Sequence, residues 1–308
     1  LIFNSKSLKY MGNIGDNLQL NPKETIRKNI IRKKPILDRE PQYFKGIPLP
    51  SWIELSLIDS CNRACTFCPR VDENIAPNTN HKMERVLVDK LYKDLNDIGF
   101  NGAFSICGYG EPLLYKDLEY LTNKLGQLGQ IEIVTNGDPL NEKKIEKIYQ
   151  SKVSQLVISL YDGPEQIILF NDMMKKANIP ENFITLRDRW YDPTLDYGVK
   201  LTNRTGTVSV GNQPETTNYK KRICFYTSYQ IMIDWDGNTY LCPQDWQRRV
   251  SLGNIMQKSF FEIWNGQMMK KYRKKLINGN RDLSPCKNCN ADGQVYGENH
   301  YNAFKKIL

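Results

Sequence analysis

The chain has 308 residues, of which 40% are hydrophobic, and a formal charge of +9. That length suits one large α/β domain with a small appendage, and without a run of roughly eighteen apolar residues it supports no membrane span. Eight cysteines against two histidines argue against His-based triads and His-rich metal sites, and for sulfur chemistry.

Residues 1–50 are polar and basic, with ten Lys/Arg against four Asp/Glu, and carry prolines at 22, 35, 41, 48 and 50. Within them Pro22–Lys34 reads as a helix, with Asn21 as N-cap and Pro22 at the first helical position. We expect 1–51 to be an N-terminal extension wrapping the core. Residues 1–45 contain no apolar signal core. The start at Leu1 rather than Met leads us to expect a natural chain that begins earlier.

From Trp52 onward strand and helix signals alternate. Strands are predicted at Ile53–Ile58, Ala103–Cys107, Ile131–Thr135, Gln155–Leu160 and Phe183–Arg187, with a sixth at Thr207–Val210. Helices are predicted at Glu84–Ile98, Tyr115–Leu128, Asn141–Tyr149 and Pro164–Lys176. The first of them sets Leu87, Leu91 and Leu95 on one face. Alternation of this kind implies βαβ units and a parallel sheet over 52–215. The stretch Asp188–Lys221 loses periodicity and reads as the exit from that sheet. In 216–308, Gln230–Asp234 and Thr239–Cys242 flank an Asp-Gly hairpin signal, and Phe260–Leu276 reads as one helix.

Three cysteines, Cys61, Cys65 and Cys68, follow the first strand in a C-x3-C-x2-C spacing. A four-iron cluster normally takes four thiolates, so three leave one iron open. Structural zinc sites instead pair C-x2-4-C with a second distant pair. With Phe67 just before the third cysteine, the segment resembles the signature of radical S-adenosylmethionine (radical SAM) enzymes. Gly108-Tyr109-Gly110-Glu111-Pro112, one βα unit later, resembles that family's Gly-Gly-Glu motif, which receives the ammonium of the methionine moiety. Asn136 resembles the family's third-strand loop near the cofactor, and Ser159 the position that touches the ribose. Cys224, Cys242, Cys286 and Cys289 resemble the shortened "twitch" form of the SPASM domain. A zinc ribbon is the alternative for these four.

The resemblance covers about 52–290 and implies a partial (β/α)6-type TIM-like barrel with a small C-terminal domain, a β-hairpin plus helix. It implies a catalytic 4Fe-4S cluster, a second, fully ligated auxiliary 4Fe-4S cluster, and S-adenosylmethionine cleaved reductively to a 5′-deoxyadenosyl radical. The expected activity is a two-electron oxidation of a small polar substrate, a sugar or aminocyclitol. A maturase that crosslinks or epimerises a peptide is one alternative. A non-enzymatic metal- or nucleic-acid-binding protein is another, disfavoured because no interleaved basic and aromatic strip exists.

Cysteines without export features point to the cytoplasm. The basic surface suits an acidic flavodoxin or ferredoxin as electron donor, or only solvation. Cys107 reads as a small buried hydrophobe or, more sharply, a hydrogen-atom donor. Arg187, Arg189 and Arg204 could hold an anionic group of cofactor or substrate, or face solvent.

Overall fold

A computed structural model describes residues 22–190, 201–210 and 221–308. The expected N-cap Asn21 lies outside the described residues. In chain order the elements begin with helix α1 (Pro22–Leu37), the short strands β1 (Tyr43–Phe44) and β2 (Ile47–Pro48), and β3 (Trp52–Leu55). Then come α2 (Arg85–Asp97), β4 (Ala103–Ile106), α3 (Leu118–Leu125), β5 (Gln130–Thr135), α4 (Glu142–Gln150), β6 (Gln155–Leu160), α5 (Glu165–Lys176) and β7 (Ile184–Asp188). The C-terminal part holds α6 (Tyr226–Tyr229), β8 (Gln230–Ile233), β9 (Asn238–Tyr240), β10 (Ser251–Asn254), α7 (Phe260–Trp264), α8 (Gln267–Ile277) and α9 (Glu298–Lys305).

One eight-stranded sheet runs in the order β10-β9-β8-β3-β4-β5-β6-β7. Strands β8, β3, β4, β5, β6 and β7 pair in parallel, so the six-stranded expectation holds, but with a different sixth member. Residues 207–210 form no strand. The sixth place is taken by β8, which pairs with β3 over Trp52↔Gln230 to Leu55↔Ile233. The hairpin expected of the C-terminal unit thus extends the core sheet, with β9 and β10 antiparallel beyond it. A second departure is the 260–276 helix, broken at Asn265-Gly266. The chain turns there at a glycine, where a Cβ would meet the carbonyls of Glu262 and Ile263 at 3.0 Å.

Side chains alternate across the sheet as the pleat requires. Ile53, Leu55, Phe104, Ile106, Ile131, Ile133, Leu156 and Ile158 are fully buried in the main hydrophobic core. Each such burial stabilises by about 1.5–3 kcal/mol. The opposite face carries Glu54, Ser105, Glu132, Ser159 and Gln230, all buried. A buried polar face survives only if its groups are paired. Helix α1 supplies one such pairing: Arg32 and Lys33 both reach Glu132, at 2.5 and 2.6 Å. No helix among the described residues is long and apolar enough to cross a membrane.

Burial alone would raise the Glu132 carboxyl, but Lys33 and Arg32 outweigh it and hold it below its ordinary 4.5. A depressed folded-state value adds stability that is present above the unfolded value and lost as pH falls through the folded one. Glu132→Gln, which strands two partly buried cations, should cost about 3 kcal/mol in urea denaturation at neutral pH. The gap between variant and wild type should close as the acid side of 4.5 is crossed.

Candidate functional site

The segment after β3 carries Cys61, Cys65 and Cys68, each half-buried. It is bolted to the ends of the next strands. Arg63 donates to both oxygens of Asp138 at 2.6 Å, and to Asp162 at 2.8 and 2.6 Å, spanning the loops after β5 and β6. Bidentate pairs of this kind fix orientation as well as adding energy. Arg70 donates to the carbonyls of Asp59 and Tyr109 and to Asn78 Oδ1, which also accepts the Cys61 N–H at 3.0 Å. Burial pushes the Cys61 and Cys68 thiols up and the Cys65 thiol to about 12. A bound cation would reverse that direction, because coordination deprotonates a thiol.

Glu111 is the hub beneath this loop. Its Oε1 accepts the Leu113 N–H at 3.0 Å and the Thr135 hydroxyl at 2.6 Å, and its Oε2 accepts the Asn136 N–H at 2.9 Å. Burial raises its carboxyl, against these three hydrogen bonds. Asn136 Nδ2 donates to Asn62 Oδ1 at 2.9 Å and lies 3.9 Å from Cys61 Sγ. Gly110 passes so near the preceding loop that a Cβ there would sit 2.1 Å from the Ile58 carbonyl. Gly108 has φ +110°, which side chains rarely adopt, and a Cβ would collide with Ser56 at 2.8 Å.

A cavity of about 160 Å³ joins the sequence-predicted positions Cys61, Cys65, Phe67, Cys68, Gly110, Glu111, Asn136 and Ser159. Gly108 lines the neighbouring cavity instead. Sequence reasoning missed Tyr161, which packs 5.7 Å from Phe67 and under the Arg63 guanidinium at 5.3 Å. It also missed that Arg187 Nη2 donates to Ser159 Oγ at 2.8 Å, leaving a buried Arg187 Nε without a hydrogen-bond partner. The pair follows from the register of β6 against β7, a long-range feature of the sheet that sets Ser159 opposite Arg187.

The neighbouring cavity, about 290 Å³, lies on the polar sheet face and includes Glu54, Cys107, Arg187 and Arg204. Val134, Arg204 and Trp246 line both cavities. Glu54 and Cys107 line it side by side, and burial pushes both the carboxyl and the thiol up. The Ser105 hydroxyl also lies 3.4 Å from Cys107 Sγ.

Cys224, Cys242, Cys286 and Cys289 line one pocket with Arg281 and Tyr226. Burial raises all four thiols, Cys224 to about 11. Arg281 stitches the surrounding loops, donating to the carbonyls of Arg222, Ile223, Ala291 and Asp292 at 2.7–3.1 Å. Pro243, next to Cys242, faces the 290 Å³ cavity. Among the described residues no three His, Cys, Asp or Glu side chains converge as ligands of a single ion. A cubane spreads its thiolates over different irons, so sulfur-rich rings of this kind fit an iron–sulfur cluster by donor chemistry. Both sets pass that test: soft donors, little competing oxygen, and surrounding backbone held by arginines.

Comparison with known proteins agrees with this arrangement. Residues 55–188 match the radical SAM superfamily and 224–290 the SPASM iron–sulfur cluster-binding domain. A curated relative from Niallia circulans, S-adenosyl-L-methionine-dependent 2-deoxy-scyllo-inosamine dehydrogenase, is 27% identical over 245 residues, 78% of this chain and 92% of the relative. A GTP 3′,8-cyclase of Rhizobium etli is 26% identical over 119 residues, 36% of this chain and 32% of its own. Among solved structures, BtrN in complex with AdoMet and 2-DOIA superposes with TM-score 0.65 at 24% identity, over 81% of this chain and 99% of that one. Streptococcus suis SuiB bound to the precursor peptide SuiA gives 0.52 at 16%, over 92% and 79%. These two likenesses concern the fold.

Gly110→Ala should force the Ile58 carbonyl aside and loosen the cysteine loop. A loss of roughly 2–3 kcal/mol in chemical denaturation is expected, with faster hydrogen exchange in 56–83 than in the helices. Unchanged exchange there would contradict the contact.

Proposed function

The chain belongs to the radical SAM superfamily and carries a SPASM iron–sulfur domain, and from that premise we propose that it oxidises a small polyol, a sugar or aminocyclitol, at one carbinol carbon. When bound, a 4Fe-4S cluster and S-adenosylmethionine supply a 5′-deoxyadenosyl radical able to remove hydrogen from an unactivated carbon. In this reading Cys61, Cys65 and Cys68 hold that cluster. Gly108, Gly110 and Glu111 receive the methionine ammonium, since an ammonium needs acceptors and glycine lets the backbone approach. Phe67, Asn136 and Ser159 complete the nucleotide's surroundings. Cys224, Cys242, Cys286 and Cys289 hold one auxiliary 4Fe-4S cluster. An acidic flavodoxin or ferredoxin in the cytoplasm is the expected electron donor.

The observation that carries this reading is the polar cavity between the two cysteine sets. One wall is shared with the Cys61–Cys68 cavity through Arg204 and Trp246, and another is Pro243 beside Cys242. A molecule lying there would sit beside the residues proposed to hold the radical-generating group on one side and those proposed to hold the auxiliary cluster on the other. Converting a carbinol to a carbonyl removes two electrons and two protons, and the hydroxyl proton needs an acceptor. Glu54 is placed to take it: a buried carboxylate with its pKa raised by burial is a stronger base than an exposed one. The cavity's size also suits a monosaccharide-sized molecule better than a peptide chain, which leaves the maturase reading with less support.

Anaerobic reconstitution should give about eight irons per chain, two clusters' worth. Cys65→Ala should lower this to about four and abolish 5′-deoxyadenosine formation, whereas Cys286→Ala should halve the iron but stop substrate oxidation rather than nucleotide cleavage. Zinc in place of the second set of irons would overturn the oxidative role of that set. Glu54→Gln should slow oxidation by about a hundredfold. The acid limb of the wild-type pH–rate profile should lie above 4.5 and vanish in the variant, because Glu54 must be ionised to accept a proton.

A further inference from the structure

We propose that the substrate carries an anionic group, phosphate or carboxylate, and that Lys33 of helix α1 receives it. This rests on the cavity reading above. Helix α1 lies outside both family-matched segments, 55–188 and 224–290. It nevertheless contributes to the cavity where the substrate is placed, through Lys33 and Leu37. The basic N-terminal residues, read from sequence as a surface for an acidic partner or for solvation, therefore include one that lines a cavity.

The charge balance of that cavity is what an uncharged polyol would not need. Lys33, Arg187 and Arg204 line it on the positive side, and Glu54 is the carboxylate among its lining residues. Glu132 does not cancel them, because it is shared by two cations, Arg32 and Lys33. Lys33 Nζ gives one hydrogen bond to Glu132 at 2.6 Å, and an ammonium has three donors. Its stem lies against the core with Nζ 4.9 Å from the Trp52 ring centre, so the head is held in place rather than swinging in solvent. Half-buried cations in excess of carboxylates lose part of their hydration and favour an anion beside them, and a fixed lysine ammonium is a point charge suited to phosphate or carboxylate oxygens. Glu132 therefore acts as the positioning group for Lys33, and the anion would complete the set.

The test uses the anaerobically reconstituted holoenzyme with S-adenosylmethionine and three probes: myo-inositol, myo-inositol 1-phosphate and glucuronate. Calorimetric titration should show at least one anionic probe binding about tenfold or more tighter than myo-inositol. The phosphate and carboxylate arms identify which anion is preferred. Lys33→Met should reduce that advantage about tenfold, and Lys33→Arg should recover most of it. Equal or undetectable binding of all three probes to the wild type overturns the proposal, as does an advantage unchanged in Lys33→Met. The wild-type comparison stands even if the Met variant folds poorly. Iron content and 5′-deoxyadenosine formation, measured on the same wild-type sample, separate the two readings. A sample that cleaves the nucleotide but does not discriminate among probes sinks only the anion site. A sample that never cleaves it sinks the function proposed above.

Discussion

The structure depends on one constraint: a parallel sheet whose inner face is both polar and shut away from water. Each group on that face needs a partner or must await one. Glu132 finds two cations from α1, Ser159 finds Arg187, and Glu54 lies beside Cys107. Space remains between these pairs because polar side chains that satisfy one another sideways do not fill the interior as interdigitated apolar ones do. The cavity is thus a consequence of how the polar face is satisfied, and the outer face, packed with Ile, Leu and Phe, supplies the stability that lets it exist.

The same logic places the chemistry at the strand ends. Loops leaving parallel strands at their C-terminal edge gather on one rim, and here they are laced together. Glu111 ties the loop after β4 to that after β5, while Arg63 ties the cysteine segment to Asp138 and Asp162. The second cysteine set reaches this rim because β8 adds to β3, carrying the 230–242 hairpin alongside the first strand. Sheet continuity, rather than docking of a separate unit, sets the spacing of the two sulfur sites. The first set lies within the segment that matches the radical SAM superfamily, and the second within the SPASM match.

Much of this was legible in the residues. Runs such as Gln155–Leu160 and Ile131–Thr135, rich in β-branched residues and bounded by turn signals, read as strands because they are buried on both sides by neighbours of the same kind. The cysteine spacing was legible because it is local. What the sequence hid was long-range. Pairing of β8 with β3 joins residues 52–55 to 230–233, far apart in the chain, and nothing in Gln230–Ile233 distinguishes a sixth parallel strand from a hairpin arm. Thr207–Val210 had the right composition but forms no strand. Strand β10 contains a bulge between Ser251 and Gly253 that blurs its alternation. Lys33 looked like any surface lysine, since burial of a charge is set by what packs over it, not by its neighbours in sequence.

The most direct test is anomalous diffraction at the iron and zinc absorption edges from crystals grown anaerobically after cluster reconstitution. Our account predicts two iron centres, one against Cys61, Cys65 and Cys68 and one against Cys224, Cys242, Cys286 and Cys289, with the Glu54 cavity between them. A lone iron centre, zinc at the C-terminal set, or a side chain filling the fourth position at the first set would contradict it.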